Sequence, residues 1–354
     1  MQSILVTGGA GFVGSSLALG LKARFGAPRV VALDNLRRRG SELNLSRLRA
    51  GGVDFLHGDI RVAADLEEAG GFDLLIECSA EPSVLAGFQG SPRYVIDTNL
   101  TGTLNCLEAA RRHGAALIFL STSRVYPLAA LRGLACVEAE TRLELAPDQS
   151  LAGASARGVA EDFPLEGSRS LYGATKLASE LMMLEYLAMY GLRGIVNRCG
   201  VLTGPWQMGK ADQGVVVLWA ARHLYGGPLS YIGFGGQGKQ VRDILHIDDL
   251  TDLIYRQIDQ LDALSGRTFN VGGGRPVSVS LRELTALCAA ETGRSMEIGS
   301  ELADRPADVP LYLTDHARVT EATGWRPELT AEATVASVCR WIRDHRDLLA
   351  PVLG

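Results

Sequence analysis

Two side chains with a common chemistry stand one helical turn apart in the run Tyr172-Gly173-Ala174-Thr175-Lys176. Residues at i and i+4 share a helix face, so the phenol of Tyr172 and the ammonium of Lys176 would lie side by side. A neighbouring ammonium favours the phenolate and lowers the tyrosine pKa, which makes a phenolate base accessible near neutral pH. Such a base can take the proton of an alcohol while the alcohol's carbon surrenders hydride to an acceptor. A third group comes from Ser121-Thr122-Ser123-Arg124-Val125-Tyr126, which ends an apolar run. Thr122 there could hydrogen-bond the reacting oxygen and share its proton.

A hydride acceptor needs a binding site, and the chain opens on one. Thr7-Gly8-Gly9-Ala10-Gly11-Phe12-Val13-Gly14 joins the apolar run Ile4-Leu5-Val6 to a helix-like segment. Glycines at that spacing give a tight turn, a bare backbone against a pyrophosphate and close packing of helix on strand. The helix start adds unpaired amides and the positive end of a dipole. Gly8, Gly11, Phe12, Val13 and Gly14 are therefore candidate contacts to a dinucleotide. Asp34 follows Gly14 at the end of the next strand, where a carboxylate accepts hydrogen bonds from the adenosine ribose. It would repel a 2′-phosphate and so favours NAD over NADP, although Arg37-Arg38-Arg39 could pair such a phosphate. Asp59, after the third strand, is placed to meet the adenine edge.

The elements that must carry these residues follow from hydrophobic pattern. Apolar runs at Ile4–Val6, Val30–Leu33, Val53–Leu56, Leu74–Cys78 and Leu117–Leu120 alternate with helix-like stretches at Phe12–Phe25 and Asn99–His113. Continuous apolar strands separated by helices are the mark of a parallel sheet covered on both faces. Right-handed crossovers then give an α/β, Rossmann-like doubly wound sheet, with a smaller C-terminal α/β domain for the substrate. The segment Tyr172–Tyr190 reads as one helix with Leu177, Leu181, Leu184 and Ala188 on an apolar stripe. Residues 1–195 form the dinucleotide-binding domain, with a long insertion at 127–170. Residues 196–354 form mainly the second domain, with segments returning to the first.

Composition narrows the class. The chain has 354 residues, 47% hydrophobic and 21% charged, enough for one or two packed domains. Its 41 glycines against 13 prolines follow no triplet period, which excludes a collagen-like chain and leaves glycine as turn punctuation. A net charge of −5 argues against a nucleic-acid partner held by bulk charge. No apolar run is long enough for a membrane span. The first residues lack a basic signal region, and six scattered cysteines form no CxxC pair, so reduced thiols and a cytoplasmic setting are expected. The histidines form no metal-spaced cluster, so no metal is expected.

Taken together, TGGAGFVG, Asp34-Asn35-Leu36, His57-Gly58-Asp59-Ile60-Arg61, STSRVY and YGATK resemble the extended short-chain dehydrogenase/reductase family of nucleotide-sugar enzymes. The resemblance covers almost the whole chain. It implies Thr122, Tyr172 and Lys176 as the catalytic set, with Asn99 holding the strand-five region or the nicotinamide side. It implies NAD on Asn35, Ile60, Ser79 and Ala80 as well as the residues above, and Ser123, Arg124, Gln213, Arg242, Arg305 and Asp308 around a nucleotide-sugar substrate. Arg242 would clamp the diphosphate, a task suited to a planar guanidinium.

Within that family, sugar-nucleotide 4,6-dehydratases carry Asp-Glu after the threonine, where this chain has Ser123-Arg124. An epimerase needs only the redox set. Asp212-Gln213-Gly214 and Gly238–Asp243 look like the CDP-tyvelose epimerase branch, which implies NAD held tightly, transient oxidation at C2 and a homodimer or homotetramer. Departures are Ser79-Ala80-Glu81 in place of a His-Ala-Ala type run, the missing Asn after Arg198, and a Thr122-to-Tyr172 separation about twice the usual one. A 4-epimerase, a dehydratase and a non-catalytic dinucleotide sensor stay open as alternatives.

Overall fold

The computed structural model describes residues 2–26, 29–88, 90–209 and 214–354. The chain divides into two compact units. The first comprises the residues up to Val125, then Ser170–Arg198 and Thr251–Phe269.

Its frame is a sheet of seven strands: β1 (Ser3–Thr7), β2 (Arg29–Asp34), β3 (Asp54–His57), β4 (Leu74–Glu77), β5 (Ala116–Thr122), β6 (Gly194–Cys199) and β7 (Thr268–Val271). The order is β7-β6-β5-β4-β1-β2-β3, so the chain reverses direction of travel across the sheet beside β1 and β4. β1 pairs in parallel with β2 and β4, β2 with β3, and β4 with β5. All four residues of β4 and all seven of β5 are buried, as expected of strands covered on both faces. Leu5, Val31, Leu75, Leu107, Leu117 and Phe119 belong to one core cluster.

Three helices position the chemistry. α1 (Phe12–Phe25) follows the glycine turn directly. α2 (Gly102–His113) continues a π-helical turn over Asp97–Thr101, a geometry frequent at functional sites. α3 (Leu171–Tyr190) is capped by Ser170, whose hydroxyl accepts from the Gly173 amide at 3.3 Å, and stops at Gly191 in the left-handed region.

α3 buries small and charged residues. Its apolar stripe does not face the sheet: Leu181 is 57% exposed and Leu184 36%, and Ala188 is exposed too. The buried face is Gly173, Thr175, Lys176, Ser179, Glu180 and Met183. Small and charged residues can face a core only if the charges find partners there, and they do, as described below.

The second unit comprises Tyr126–Arg169, Cys199–Leu250 and Asn270–Gly354. Its central strand, Val241–His246, pairs in parallel with Val201–Thr203 and Leu311–Tyr312 and antiparallel with Ser278–Ser280. Helix Leu281–Thr292 starts on a reciprocal capping box between Ser280 and Glu283. The stretch at 127–170, expected as an insertion of the first domain, clusters with this second unit and has structure of its own. A hairpin joins Cys136–Glu138 to Leu143–Leu145. Between those strands Thr141 donates to Glu283 at 2.7 Å, and Arg142 donates to the Ser278 hydroxyl at 2.6 Å. Among the described residues no helix is long and apolar enough to cross a membrane.

Candidate active site

The glycine turn is dictated by contact. Gly8 has φ +63°, and a Cβ there would sit 2.9 Å from the backbone of Cys78 and Ser79, just after β4. A Cβ on Gly14 would lie 2.1 Å from the Gly8 carbonyl oxygen, so any side chain would push α1 off the turn. α1 has no side-chain cap at Gly11 and no acidic residue in its first turn. The amides of Phe12, Val13 and Gly14 thus stand at a helix start whose first turn carries no acidic residue, which suits a pyrophosphate.

The adenosine end is wired before any ligand arrives. Asp34 accepts from the Ala10 amide at 3.1 Å and the Leu36 amide at 2.8 Å, so it ties the glycine turn to the end of β2. Burial pushes its carboxyl pKa up, and the backbone hydrogen bonds draw it back. Asn35 donates to Asp59 at 2.9 Å, and Arg61 closes on Asp59 at 2.6 Å. Desolvation raises the Asp59 pKa, but the Arg61 and Asn35 hydrogen bonds outweigh it and hold the carboxyl at about 2. The Arg37 guanidinium lies 4.0 Å over the Tyr94 ring, with Arg61 4.9 Å from the same ring. Ile60 is a core residue at 3% exposure, and its carbonyl accepts from Asn105 at 2.8 Å.

The proposed catalytic residues sit on α3 and at the end of β5. Tyr172 is in the first turn of α3, and Lys176, 2% exposed, is one turn on. The Lys176 ammonium stands 3.9 Å from the centre of the Phe119 ring, which belongs to β5. Thr122 ends that strand, buried at 7%, and its hydroxyl accepts from the Arg124 amide at 3.1 Å. That bond fixes the tight turn through Ser123 and Arg124. Asn99 lies in the π-helical turn ahead of α2. Its side chain exchanges two hydrogen bonds with the backbone of Glu81, at 2.8 and 3.1 Å, and so pins the loop after β4, where Ser79 and Ala80 lie. The Asn99 carbonyl accepts from Ser179 of α3 at 2.8 Å and from Thr103 of α2 at 2.9 Å.

Sequence reading missed the pair that seats α3. Glu180, one turn beyond Lys176, meets Arg198 of β6 in a 2.8 Å ion pair with side-chain exposures of 3% and 7%. The Ser121 hydroxyl donates to the same carboxylate. The signal was present: an arginine inside the apolar run Gly194–Cys199 requires a buried partner, and Glu180 shares a helix face with Tyr172 and Lys176.

In the second unit Arg242 and Asp308 meet each other. The guanidinium contacts the Asp308 carboxylate at 2.6 Å and donates to the Val309 and Val241 carbonyls at 2.6 and 2.7 Å. The Asp308 amide bonds the Arg305 carbonyl at 3.3 Å, so Arg305 shares that loop. Gln213 lies outside the described residues.

A parallel doubly wound sheet, a bare glycine turn before its first helix, and a tyrosine–lysine pair on a helix seated against the sheet define a dinucleotide-dependent enzyme of the Rossmann class. Residues 4–272 match the NAD dependent epimerase/dehydratase family, and the chain belongs to it. Its cofactor is NAD, for which the turn, the uncapped helix start and Asp34 supply a fitting site. The chain is 30% identical to the CDP-paratose 2-epimerase of Salmonella typhi, over 96% of this chain and 99% of that one. It superposes on the dTDP-glucose 4,6-dehydratase of Streptomyces venezuelae, solved with NAD, with a TM-score of 0.80 at 28% identity, covering 99% and 100% of the two chains. The UDP-glucose 4-epimerase of Thermus thermophilus in complex with NAD gives 0.76 at 28% identity, covering 97% and 99%.

Proposed function

We propose that this enzyme epimerises a nucleotide-activated sugar, with CDP-paratose to CDP-tyvelose at C2 as the leading substrate pair. NAD, when bound, supplies the acceptor for hydride from the carbinol carbon and the donor for its return. Tyr172 Oη takes the hydroxyl proton as the carbon is oxidised and gives it back on reduction, so nothing is consumed. Lys176 favours the phenolate and anchors the cofactor's ribose, and the Thr122 hydroxyl holds the reacting oxygen. Between the two steps the keto sugar must present its other face, while Arg242, Arg305 and Asp308 retain the nucleotide end. The observation that carries the reading is α3 itself, where a phenol in the first turn and a nearly fully buried ammonium stand one turn apart, the ammonium against Phe119 of β5. Epimerisation is favoured over dehydration because Ser123 and Arg124 follow Thr122 and bring no carboxylic acid to that turn.

The test is incubation with CDP-, UDP-, GDP- and dTDP-sugars in deuterated water, followed by NMR. Inversion with no solvent deuterium at the oxidised carbon supports the proposal. Accumulation of a dehydrated 4-keto sugar would replace it with the dehydratase reading.

A homodimer or homotetramer is part of the proposal. The outer face of α3 presents Leu181, Leu184 and Met189, exposed by 57%, 36% and 69%, and an apolar stripe of that kind suits a second copy of the chain. Sedimentation as a monomer at micromolar concentration overturns this part. A cytoplasmic setting fits six cysteines of which none is in a disulfide.

A further inference from the structure

Glu77 closes β4 and is fully buried, yet the reaction as described gives it no task. Its Oε1 accepts a 2.6 Å hydrogen bond from Thr103 of α2. Its Oε2 is also buried, and no hydrogen-bond donor among the described residues reaches it. In the sheet register Glu77 pairs with Thr7 of β1 and with Phe119 of β5. Register partners in a parallel sheet direct their side chains to the same face. Phe119 is the ring that carries the Lys176 ammonium, at 3.9 Å. Carboxylate and ammonium therefore lie on one face of the sheet, beneath α2 and α3, in a site closed to water.

We propose that Glu77 is a positioning residue: its carboxylate is the counter-charge that keeps Lys176 an ammonium, and through Lys176 it sets the ionisation of Tyr172. The inference rests on the roles proposed above for Tyr172 and Lys176. Burial disfavours the charged form of either group alone, and two buried groups of opposite sign hold each other ionised. The direction of the Glu77 titration agrees, since burial raises its pKa and the Lys176 charge lowers it. Other ionisable groups on the surrounding elements have partners or states of their own. Glu180 on α3 is answered by Arg198 of β6. Cys106 on α2 is a neutral thiol, its pKa pushed well up by burial and by Glu77 despite the lowering effect of Lys176. Tyr172 is the group being tuned.

The test is the phenolate absorption of the NAD-loaded protein as a function of pH, with Tyr172→Phe as the subtraction that isolates Tyr172. In Glu77→Gln, which keeps the shape and the Thr103 bond, Lys176 loses its counter-charge and the Tyr172 midpoint is expected to rise by about one pH unit. Glu77→Asp is expected to return most of that shift. In a Lys176→Met background Glu77→Gln is expected to move nothing, which a purely structural role would not reproduce. An unchanged or lowered midpoint in folded Glu77→Gln overturns the inference. Should that variant not fold, NMR titration of the Lys176 Nζ in the wild-type protein decides: loss of the ammonium below neutral pH overturns it, and an ammonium persisting above neutral pH supports it. If Tyr172→Phe removes no phenolate signal from the wild type, the assignment of Tyr172 fails instead, and the two failures are distinguishable.

Discussion

An aspartate and an arginine close to 2.6 Å in each unit: Asp59 with Arg61 in the first, Asp308 with Arg242 in the second. The first pair is local, two residues apart, and also holds Asn35, so it shapes the adenosine end without any ligand. The second spans distant segments and occupies the guanidinium proposed to clamp a diphosphate. The contrast extends to the rest of each site. On the inner face of α3 the charged pair Glu180 and Arg198 is buried inside the protein. Around Arg242, on the role proposed for it, a diphosphate would take the place of the Asp308 carboxylate. On the proposed roles the catalytic side is thus assembled in advance, and the substrate side exchanges one anion for another on binding.

The largest expected effect breaks the chemistry and spares the frame. Tyr172→Phe should lower kcat about a thousandfold, roughly 4 kcal/mol, by removing the acid/base. NAD titration and thermal unfolding should stay near wild type, because the buried face of α3 is untouched. Unaltered turnover in that variant would remove Tyr172 from the reaction.

Next is the pre-assembly itself. Glu180→Gln leaves Arg198 buried without its carboxylate, and the loss should be about 3 kcal/mol or more of stability in denaturant unfolding of the first unit. Replacing both partners by methionine should recover much of this, since a well-packed apolar pair avoids the desolvation cost. Equal stability of Glu180→Gln and wild type would mean that α3 is seated by something else.

The second unit should respond in binding rather than stability. Arg242→Ala should raise KM for the nucleotide sugar about ten- to hundredfold with kcat changed less, the scale of one or two charge-assisted hydrogen bonds. Arg242→Lys keeps the charge but not the planar fork and should fall between. A kcat loss with KM constant would place Arg242 in the chemical step and erase the division between the two sites.

Much of the first unit could be read from the sequence because its signals are local. The glycine turn, the apolar strands and the Tyr172–Lys176 spacing each occupy a few consecutive residues. The orientation of α3 could not be read that way. Hydropathy groups Leu181 and Leu184 on one stripe without saying which way it faces, and the inner face is the one carrying Lys176 and Glu180. An apolar stripe marks the inner face only when that face has no buried charge network to accommodate. Asn99 and the Arg242–Asp308 pair were hidden for another reason, since each depends on residues brought together by topology.

The smallest effect tests whether the local pair in the first unit is energetically what its geometry suggests. Asp59 is held at about 2, below its usual 3.8, so its contribution to stability is present above 3.8 and is lost as pH falls toward 2. Partial solvent access trims the contribution to about 1 kcal/mol. Asp34 has the opposite sign: burial raises its pKa, so its protonated form favours the fold at low pH and that contribution is lost as pH rises. The two partly cancel in the wild-type acid limb, and only a variant separates them. Asp59→Asn should flatten the fall in stability on the acid side while leaving the Asp34 contribution in place. Acid unfolding followed in parallel for the two proteins checks this. Superimposable acid limbs would show the Asp59–Arg61 pair to be a contact without net stability, and the first unit would then owe its pre-assembly to the buried pair on α3 alone.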